Sequence, residues 1–193
     1  MTKAELRLLY KQKRATECSP ESVTKGSKEI TDKVLQYFTF QKEDYISLFF
    51  TIAGKQEIET AFLCERLLEN QCRVCASKSD FETQTMQHFV YENPTQLQLS
   101  KFGIPEPTHG KLVSPEKMDF VFVPLLAFDK KGFRVGYGKG FYDRFLAQCR
   151  KNCTIIGLSF FEAIDTIDDC DKFDIPLDFC VTPQQVYQFK TDK

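Results

Sequence analysis

The chain has no tryptophan, three methionines and only two histidines, His88 and His109, in 193 residues. Cys72-Arg73-Val74-Cys75 fits Cys-x-x-Cys but has no second copy, and Cys149 and Cys153 have no histidine near them in sequence. A zinc site needs a better ligand set than this, and the cysteines read as buried free thiols. No Ser–His–Asp or Cys–His nucleophile pattern is present. A net charge of −1 gives no electrostatic case for nucleic acid or a membrane surface. No apolar run is long enough to span a bilayer, and no secretory apolar segment follows the basic start. There is no repeat, low-complexity tract or linker. The expectation is one domain over residues 1–193, a cytoplasmic monomer with enough chain to bury a substantial core. The 19 phenylalanines make that core rich in aromatics.

What is present is concentrated in residues 119–143, DFVFVPLLAFDKKGFRVGYGKGFYD. The stretch opens as a buried strand and continues through a loop carrying Asp129 and Arg134. It closes with Gly136, Gly138 and Gly140 spaced two apart, with Lys139 among them and Asp143 after them. Glycine lets backbone N–H groups approach an anion, because no Cβ intervenes and positive φ is open. Successive N–H groups turned inward make an anion nest, and a following helix N-terminus adds to the attraction. Lys139 and Arg134 add formal charge, so a phosphate-bearing ligand is the natural occupant. The pattern is neither a Walker loop, since Phe141 follows Gly140, nor the dinucleotide fingerprint, since the glycines alternate and a charged loop precedes them. Alternating glycines alone also fit a tight surface turn. A plain turn has no need of Arg134, Lys139 and Asp143.

Around this stretch, strands and helices alternate. Thr2 and Glu5 form a capping-box pattern at the start of a helix in which Leu6, Leu9 and Tyr10 recur at helical spacing. Lys3 and Arg7, four apart, share one face of it, which by spacing alone reads as solvated and basic; Lys11 and Arg14 are expected to be solvent-exposed. Ser19-Pro20 starts a second helix with Ile30, Val34 and Phe38 inward. Residues 45–50 read as a strand, 51–55 as a loop, and 57–60 lead into a helix ending near Asn70. Glu57 taken alone is a helix-start carboxylate favoured by the macrodipole. Residues 73–77, 86–91 and 154–160 read as further strands, and a helix with Phe145 and Leu146 inward follows Asp143. Residues 102–107, with two prolines, read as a rigid loop, and Asp165, Asp168, Asp169 and Asp171 as a solvated one. The alternation predicts an α/β fold with a central, mainly parallel sheet.

The ordered run Val123-Pro124, Ala127-Phe128-Asp129, Gly132, Arg134 and Gly136-Tyr137-Gly138-Lys139-Gly140-Phe141-Tyr142-Asp143 resembles the signature of the 5-formyltetrahydrofolate cyclo-ligase, or methenyltetrahydrofolate synthetase, family. That signature reads P-x-x-x-F-D, then R-x-G-x-G-x-G-[YF]-Y-D. Distant segments are similar to the same family: Lys3 and Arg7 to its opening K-x-x-x-R helix, Glu57-Ile58-Glu59-Thr60 to its E-[IV]-[DE]-T motif, and Gly103-Ile104-Pro105-Glu106-Pro107 to its G-I-P-x-P segment. Asp174-Ile175-Pro176-Leu177-Asp178 before Val181-Thr182 resembles its D-x-P-x-D and V-T. Two departures stand out. Phe173 occupies a position where many members have His. Ser77-Lys78 replaces a frequent Pro-Arg, and Lys78 lacks the planar fork of arginine.

The resemblance implies a three-layer Rossmann-like fold related to certain sugar-phosphate isomerases and CoA transferases, with ligands at the carboxyl ends of the strands. It implies ATP- and Mg²⁺-dependent cyclisation of 5-formyltetrahydrofolate to 5,10-methenyltetrahydrofolate, with release of ADP and phosphate. Lys3, Arg7, Arg134, Gly136, Gly138, Lys139, Gly140, Phe141 and Tyr142 would meet ATP. Phe50, Glu57, Tyr137, Gly138, Lys139, Gly140 and Phe141 would meet the folate. Arg134, Tyr137 and Lys139 would serve catalysis, and Asp143 and Asp174 would hold the metal. The alternatives are a non-catalytic relative, against which Asp143 and Arg134 argue, and another phosphoryl-transfer or sugar-phosphate enzyme of this fold. Coincidence of Lys3, Arg7 and Glu57 argues against the latter.

Overall fold

Apolar runs of strand length alternate with segments of helical period, and the computed structural model, which describes residues 1–189, follows that alternation. Helices α1 (Lys3–Glu17) and α2 (Pro20–Tyr37) precede β1 (Tyr45–Leu48) and α3 (Ala61–Glu69). Next come β2 (Arg73–Asp80), β3 (Thr85–Val90), β4 (Leu97–Leu99), β5 (Pro105–Pro107), β6 (Leu112–Val113) and β7 (Phe120–Pro124). A hairpin of β8 (Ala127–Phe128) and β9 (Arg134–Val135) leads to α4 (Phe141–Leu146), β10 (Thr154–Leu158), β11 (Phe179–Val181) and β12 (Val186–Gln188). The last four residues of the expected domain, 190–193, lie outside the described residues.

The main sheet has the order β12-β11-β10-β7-β1-β2-β3-β6. From β11 to β2 it is parallel, and β12, β3 and β6 join antiparallel. Parallel strands covered on both faces need near-continuous apolar sequence. β7 and β10 supply it, with Val121, Phe122, Val123 and Ile156 fully buried. Successive side chains point to opposite faces. Phe122 packs with Ile30 and Val34 of α2 and Leu63 and Leu67 of α3, while Val121 and Val123 join Phe145 and Leu146 of α4 on the other face. Helix α1 packs elsewhere, with Leu6 and Tyr10 against Leu126, Ala127 and Val135 beside the hairpin. The chain leaves β1 for β2 on one side and returns to β7 on the other. The carboxyl ends of β1 and β7 therefore flank a topological switch point, where a crevice opens between diverging connections.

Local expectations fare unevenly. Thr2 and Glu5 make the capping box, and Ser19 accepts from the Ser22 N–H at 3.2 Å. Cys64, Cys72, Cys75 and Cys180 are buried thiols, whereas Cys18 and Cys170 are half-buried. Residues 102–107 are not simply a loop: β5 pairs antiparallel with β4, and its prolines are tolerated because a two-stranded ribbon leaves one edge unpaired. The stretch carrying Asp129 and Arg134 is the β8–β9 hairpin, not a loop. Asp129, 1% exposed, closes its turn by accepting from Lys131 N at 2.9 Å and Phe133 N at 3.0 Å. The acidic segment is solvated but not idle. Asp168 accepts from the Met1 amino group and Asp169 from Lys3 N, each at 2.6 Å, placing negative charge where the α1 dipole favours it. Among the described residues no helix is long and apolar enough to cross a membrane.

Candidate active site

A cavity of about 910 Å³ lies at the switch point, walled by α1, the loop after β1, the glycine loop and the start of α4. Every site residue expected from the sequence lines it, from Lys3 and Arg7 through Phe50 and Glu57 to Arg134, residues 136–143 and Asp174. Residues spread over most of the chain thus share one space.

The glycines of the loop differ in what they need. Gly138 has φ +88° and Gly140, the N-cap of α4, has φ +66°, values that L side chains resist. Gly136 has open space where a Cβ would go, and its carbonyl accepts from Arg7 Nε at 2.9 Å. A Cβ on Gly138 would lie 3.0 Å from Arg7 Cζ. The arginine of α1, rather than open cavity, is what a side chain at this position would first meet.

Two of the expected phosphate cations, Lys3 and Arg134, are paired with the two expected metal carboxylates. Lys3 Nζ donates to Asp174 Oδ2, which also accepts from Asp171 N at 2.7 Å. Burial pulls the Lys3 ammonium down, but its bond to Asp174 and that carboxylate's charge outweigh burial and hold it above its ordinary value. Arg134, its side chain 6% exposed, donates from Nη2 to Asp143 Oδ1 at 2.7 Å and from Nη1 to the Ile175 carbonyl. Burial lowers the Arg134 guanidinium from its usual value, with Asp143 opposing. Lys139 is exposed at the tip of the loop, and its ammonium has no hydrogen bond or ion pair among the described residues.

The other end of the cavity is built around Glu57, whose side chain is 5% exposed. Its Oε2 accepts from Ile52 N at 2.9 Å and its Oε1 from the Tyr137 hydroxyl. Burial pushes the Tyr137 phenol up and Glu57 adds to the shift, so Tyr137 is the donor in that bond. Burial also raises the Tyr142 phenol. Phe50 packs on Tyr91 with ring centroids 4.9 Å apart.

Two features were missed at the sequence level. Arg14, expected in solvent, has a side chain 11% exposed and enters the cavity, donating from Nη2 to the Leu125 carbonyl at 2.8 Å and from Nη1 to the Tyr137 hydroxyl at 3.3 Å. The signal was its spacing: seven residues from Arg7 is about two turns, which puts both on one helix face. Lys11 is exposed as expected, yet it also lines the cavity. The second feature is an aromatic wall, with Phe81 4.1 Å from Phe102 and 5.0 Å from Phe141 between ring centroids. One end of the cavity is therefore suited to a polyanion. The other is suited to a flat ring whose N–H groups can donate to a buried carboxylate.

The family model described as the 5-formyltetrahydrofolate cyclo-ligase family matches residues 1–183. The 5-formyltetrahydrofolate cyclo-ligase of Mus musculus is 28% identical over 188 residues, covering 91% of this chain and 91% of the relative. That of Haemophilus influenzae is 29% identical over 157 residues, covering 79% and 82%. Among solved structures, the 5,10-methenyltetrahydrofolate synthetase of Aquifex aeolicus superposes with a TM-score of 0.79 at 28% identity, covering 100% of this chain and 95% of that one. The synthetase of Mycoplasma pneumoniae gives 0.76 at 26% identity, covering 95% and 99%.

Proposed function

The chain belongs to the 5-formyltetrahydrofolate cyclo-ligase family, and as an enzyme of that family, we propose, it cyclises 5-formyltetrahydrofolate to 5,10-methenyltetrahydrofolate with ATP and Mg²⁺, releasing ADP and phosphate. The observation that carries this reading is the two-ended cavity. Lys3, Arg7, Arg134, Lys139 and the glycine loop line one end, Phe50 and Glu57 the other, and Tyr137 bonds across to Glu57.

The formyl oxygen of the substrate is a poor leaving group. Transfer of the γ-phosphoryl group onto it gives an N5-iminium phosphate; N10 then attacks the activated carbon, and phosphate departs as the ring closes. No protein nucleophile is needed, which agrees with a cavity lined by cations, glycines and aromatics. Phosphoryl transfer rests on positioning and charge stabilisation. Lys3, Arg7, Arg134 and Lys139 would hold the phosphates. Glu57 would accept from the pterin, and Phe50 would pack on it. The Tyr137–Phe141 segment would keep the two substrates adjacent.

The donor set fits a metal that brings oxygens of its own. Among the described residues there is no group of three His, Cys, Asp or Glu side chains able to hold a metal. Mg²⁺, however, keeps several waters and uses one or two carboxylates beside substrate phosphates. Asp143 and Asp174 would be those carboxylates, since the hydrogen bonds of each fall on a single oxygen. Bound there, Mg²⁺ would neutralise triphosphate charge.

The test is the absorbance of methenyltetrahydrofolate formed from 5-formyltetrahydrofolate. Product is expected only with both ATP and Mg²⁺. Its absence from the complete mixture would overturn the reading, and its formation without ATP would overturn the phosphoryl-transfer mechanism.

A further inference from the structure

Arg14 is the ion-pair partner of Glu57 among the described residues, at 3.9 Å between Nη1 and Oε1. We infer that Arg14 is a positioning residue for the folate end of the cavity, holding the Tyr137–Glu57 pair so that Glu57 keeps a fixed set of acceptor sites toward the substrate ring. The inference rests on the function proposed above.

The geometry makes Arg14 a hub. Its guanidinium reaches a backbone carbonyl beyond β7, the Tyr137 hydroxyl from the glycine loop, and the Glu57 carboxylate from the loop after β1. The Tyr137 hydroxyl accepts from Arg14 and donates to Glu57, so three segments meet at one oxygen. A planar fork can satisfy several acceptors at fixed angles, which a lysine ammonium on a flexible stem does not do. A carboxylate as buried as Glu57 needs a compensating cation, and Arg14 supplies it. A carboxylate has about four lone-pair sites, and the bonds from Ile52 N and Tyr137 leave about two for substrate N–H donors. Docking of α1 does not account for the arrangement, because Leu6 and Tyr10 already bury its apolar face. Arg14 is even held with its Nε buried and without a hydrogen-bond partner among the described residues. Such a donor is retained at a cost to folding.

The experiment is calorimetry of 5-formyltetrahydrofolate and, separately, of Mg-ATP on the wild type, Arg14→Lys, Arg14→Gln, Tyr137→Phe and the Arg14→Gln/Tyr137→Phe double variant, with melting curves for each. Arg14→Gln is expected to weaken folate binding about tenfold or more, the scale of one charge-assisted hydrogen bond, and to leave Mg-ATP within about twofold. Arg14→Lys should fall between it and the wild type. The double variant should lose less than the two single losses combined, because the arginine acts through the tyrosine and the glutamate. Unchanged folate affinity in a folded Arg14→Gln protein overturns the inference. So does equal loss of both ligands, which would mark a merely structural role in α1, and so does additivity. If Arg14→Gln does not fold, Arg14→Lys and Tyr137→Phe decide: both must weaken folate selectively. A wild type that binds no 5-formyltetrahydrofolate overturns the proposed function and this inference together. A wild type that binds and cyclises it, beside an Arg14→Gln of equal folate affinity, overturns the inference alone.

Discussion

Lys3, in the first turn of α1, forms an ion pair with Asp174, 171 residues further along the chain. Arg134 and Asp143 repeat the arrangement close by, with Arg134 also donating to the carbonyl of Ile175, the residue after Asp174. Each carboxylate assigned to the metal is thus held by a cation assigned to phosphate, and substitutions at either pair test both assignments.

Asp174→Asn removes a charge that a hard cation needs while keeping the shape of the side chain. It should raise the Mg²⁺ concentration for half-maximal activity and lower the maximal rate, as should Asp143→Asn. Mg²⁺ titrations at saturating ATP check this, and curves that superimpose on the wild type would remove the carboxylate from the metal site.

Asp143→Asn should in addition destabilise the fold, because it strands the Arg134 guanidinium. Breaking a fully buried pair costs about 3–5 kcal/mol, and less is expected here because Asp143 is 29% exposed. Urea unfolding measures it. The Arg134→Met/Asp143→Asn double variant should recover part of the loss; if it is less stable than Asp143→Asn, the stranded charge is not the cause.

Gly138→Val should abolish nucleotide binding. Its backbone has φ +88°, and the added Cβ would press on Arg7 at 3.0 Å, so the arginine leaves the loop even where the chain folds. Wild-type ATP affinity by calorimetry would show that Arg7 and the loop do not form the phosphate site.

Lys139→Ala should leave thermal stability within about 0.5 kcal/mol, as exposed substitutions do. ATP affinity should fall roughly 10- to 100-fold, the worth of one charge-assisted contact. Equal ATP kinetics in the two proteins would take the lysine out of the reaction.

His88 predicts a pH dependence away from the cavity. The ring stacks on Phe145 at 4.1 Å, Nε2 lies 2.7 Å from Ser47 Oγ, and Nδ1 is buried without a hydrogen-bond partner among the described residues. Burial lowers the imidazole from 6.5 to about 3. The unfolded chain therefore takes up a proton that the folded one refuses. This contribution to stability is complete above the unfolded value and is lost as pH falls from 6.5 toward 3. Between pH 7 and 5 the loss should be roughly 2 kcal/mol. Denaturant unfolding across that range should show a shallower slope for His88→Gln, and identical slopes would mean that His88 is not the group responsible.

Much of this was legible from local chemistry. Thr2, Glu5, Ser19 and Pro20 act on backbone within a turn, so their caps follow from neighbours in sequence. That the glycine loop faces a cavity was legible because Arg134, Lys139 and Asp143 accompany the glycines, which a plain turn would not need. Arg14 was not, since its burial is decided by Leu125 and Tyr137, 111 and 123 residues away. Asp168 and Asp169 read as solvated for the same reason, as their partners lie at the far end of the chain. Glu57 could be read either as a helix-start carboxylate or as a ligand group; its burial beside Tyr137 and Arg14 is decided by residues distant in sequence and could not be read from its neighbours.

The long reach from Lys3 to Asp174 also sets an order of events during synthesis. At about 5–20 residues per second, a ribosome needs roughly 9–34 s to add the intervening chain. For most of that time α1 has neither the β8–β9 hairpin beneath Leu6 and Tyr10 nor Asp169 at its start, and Asp174 comes last. The cavity therefore closes late, after the strands that surround it have had time to pair, and a nascent chain cut short before Asp168 would carry an α1 with no acidic anchor.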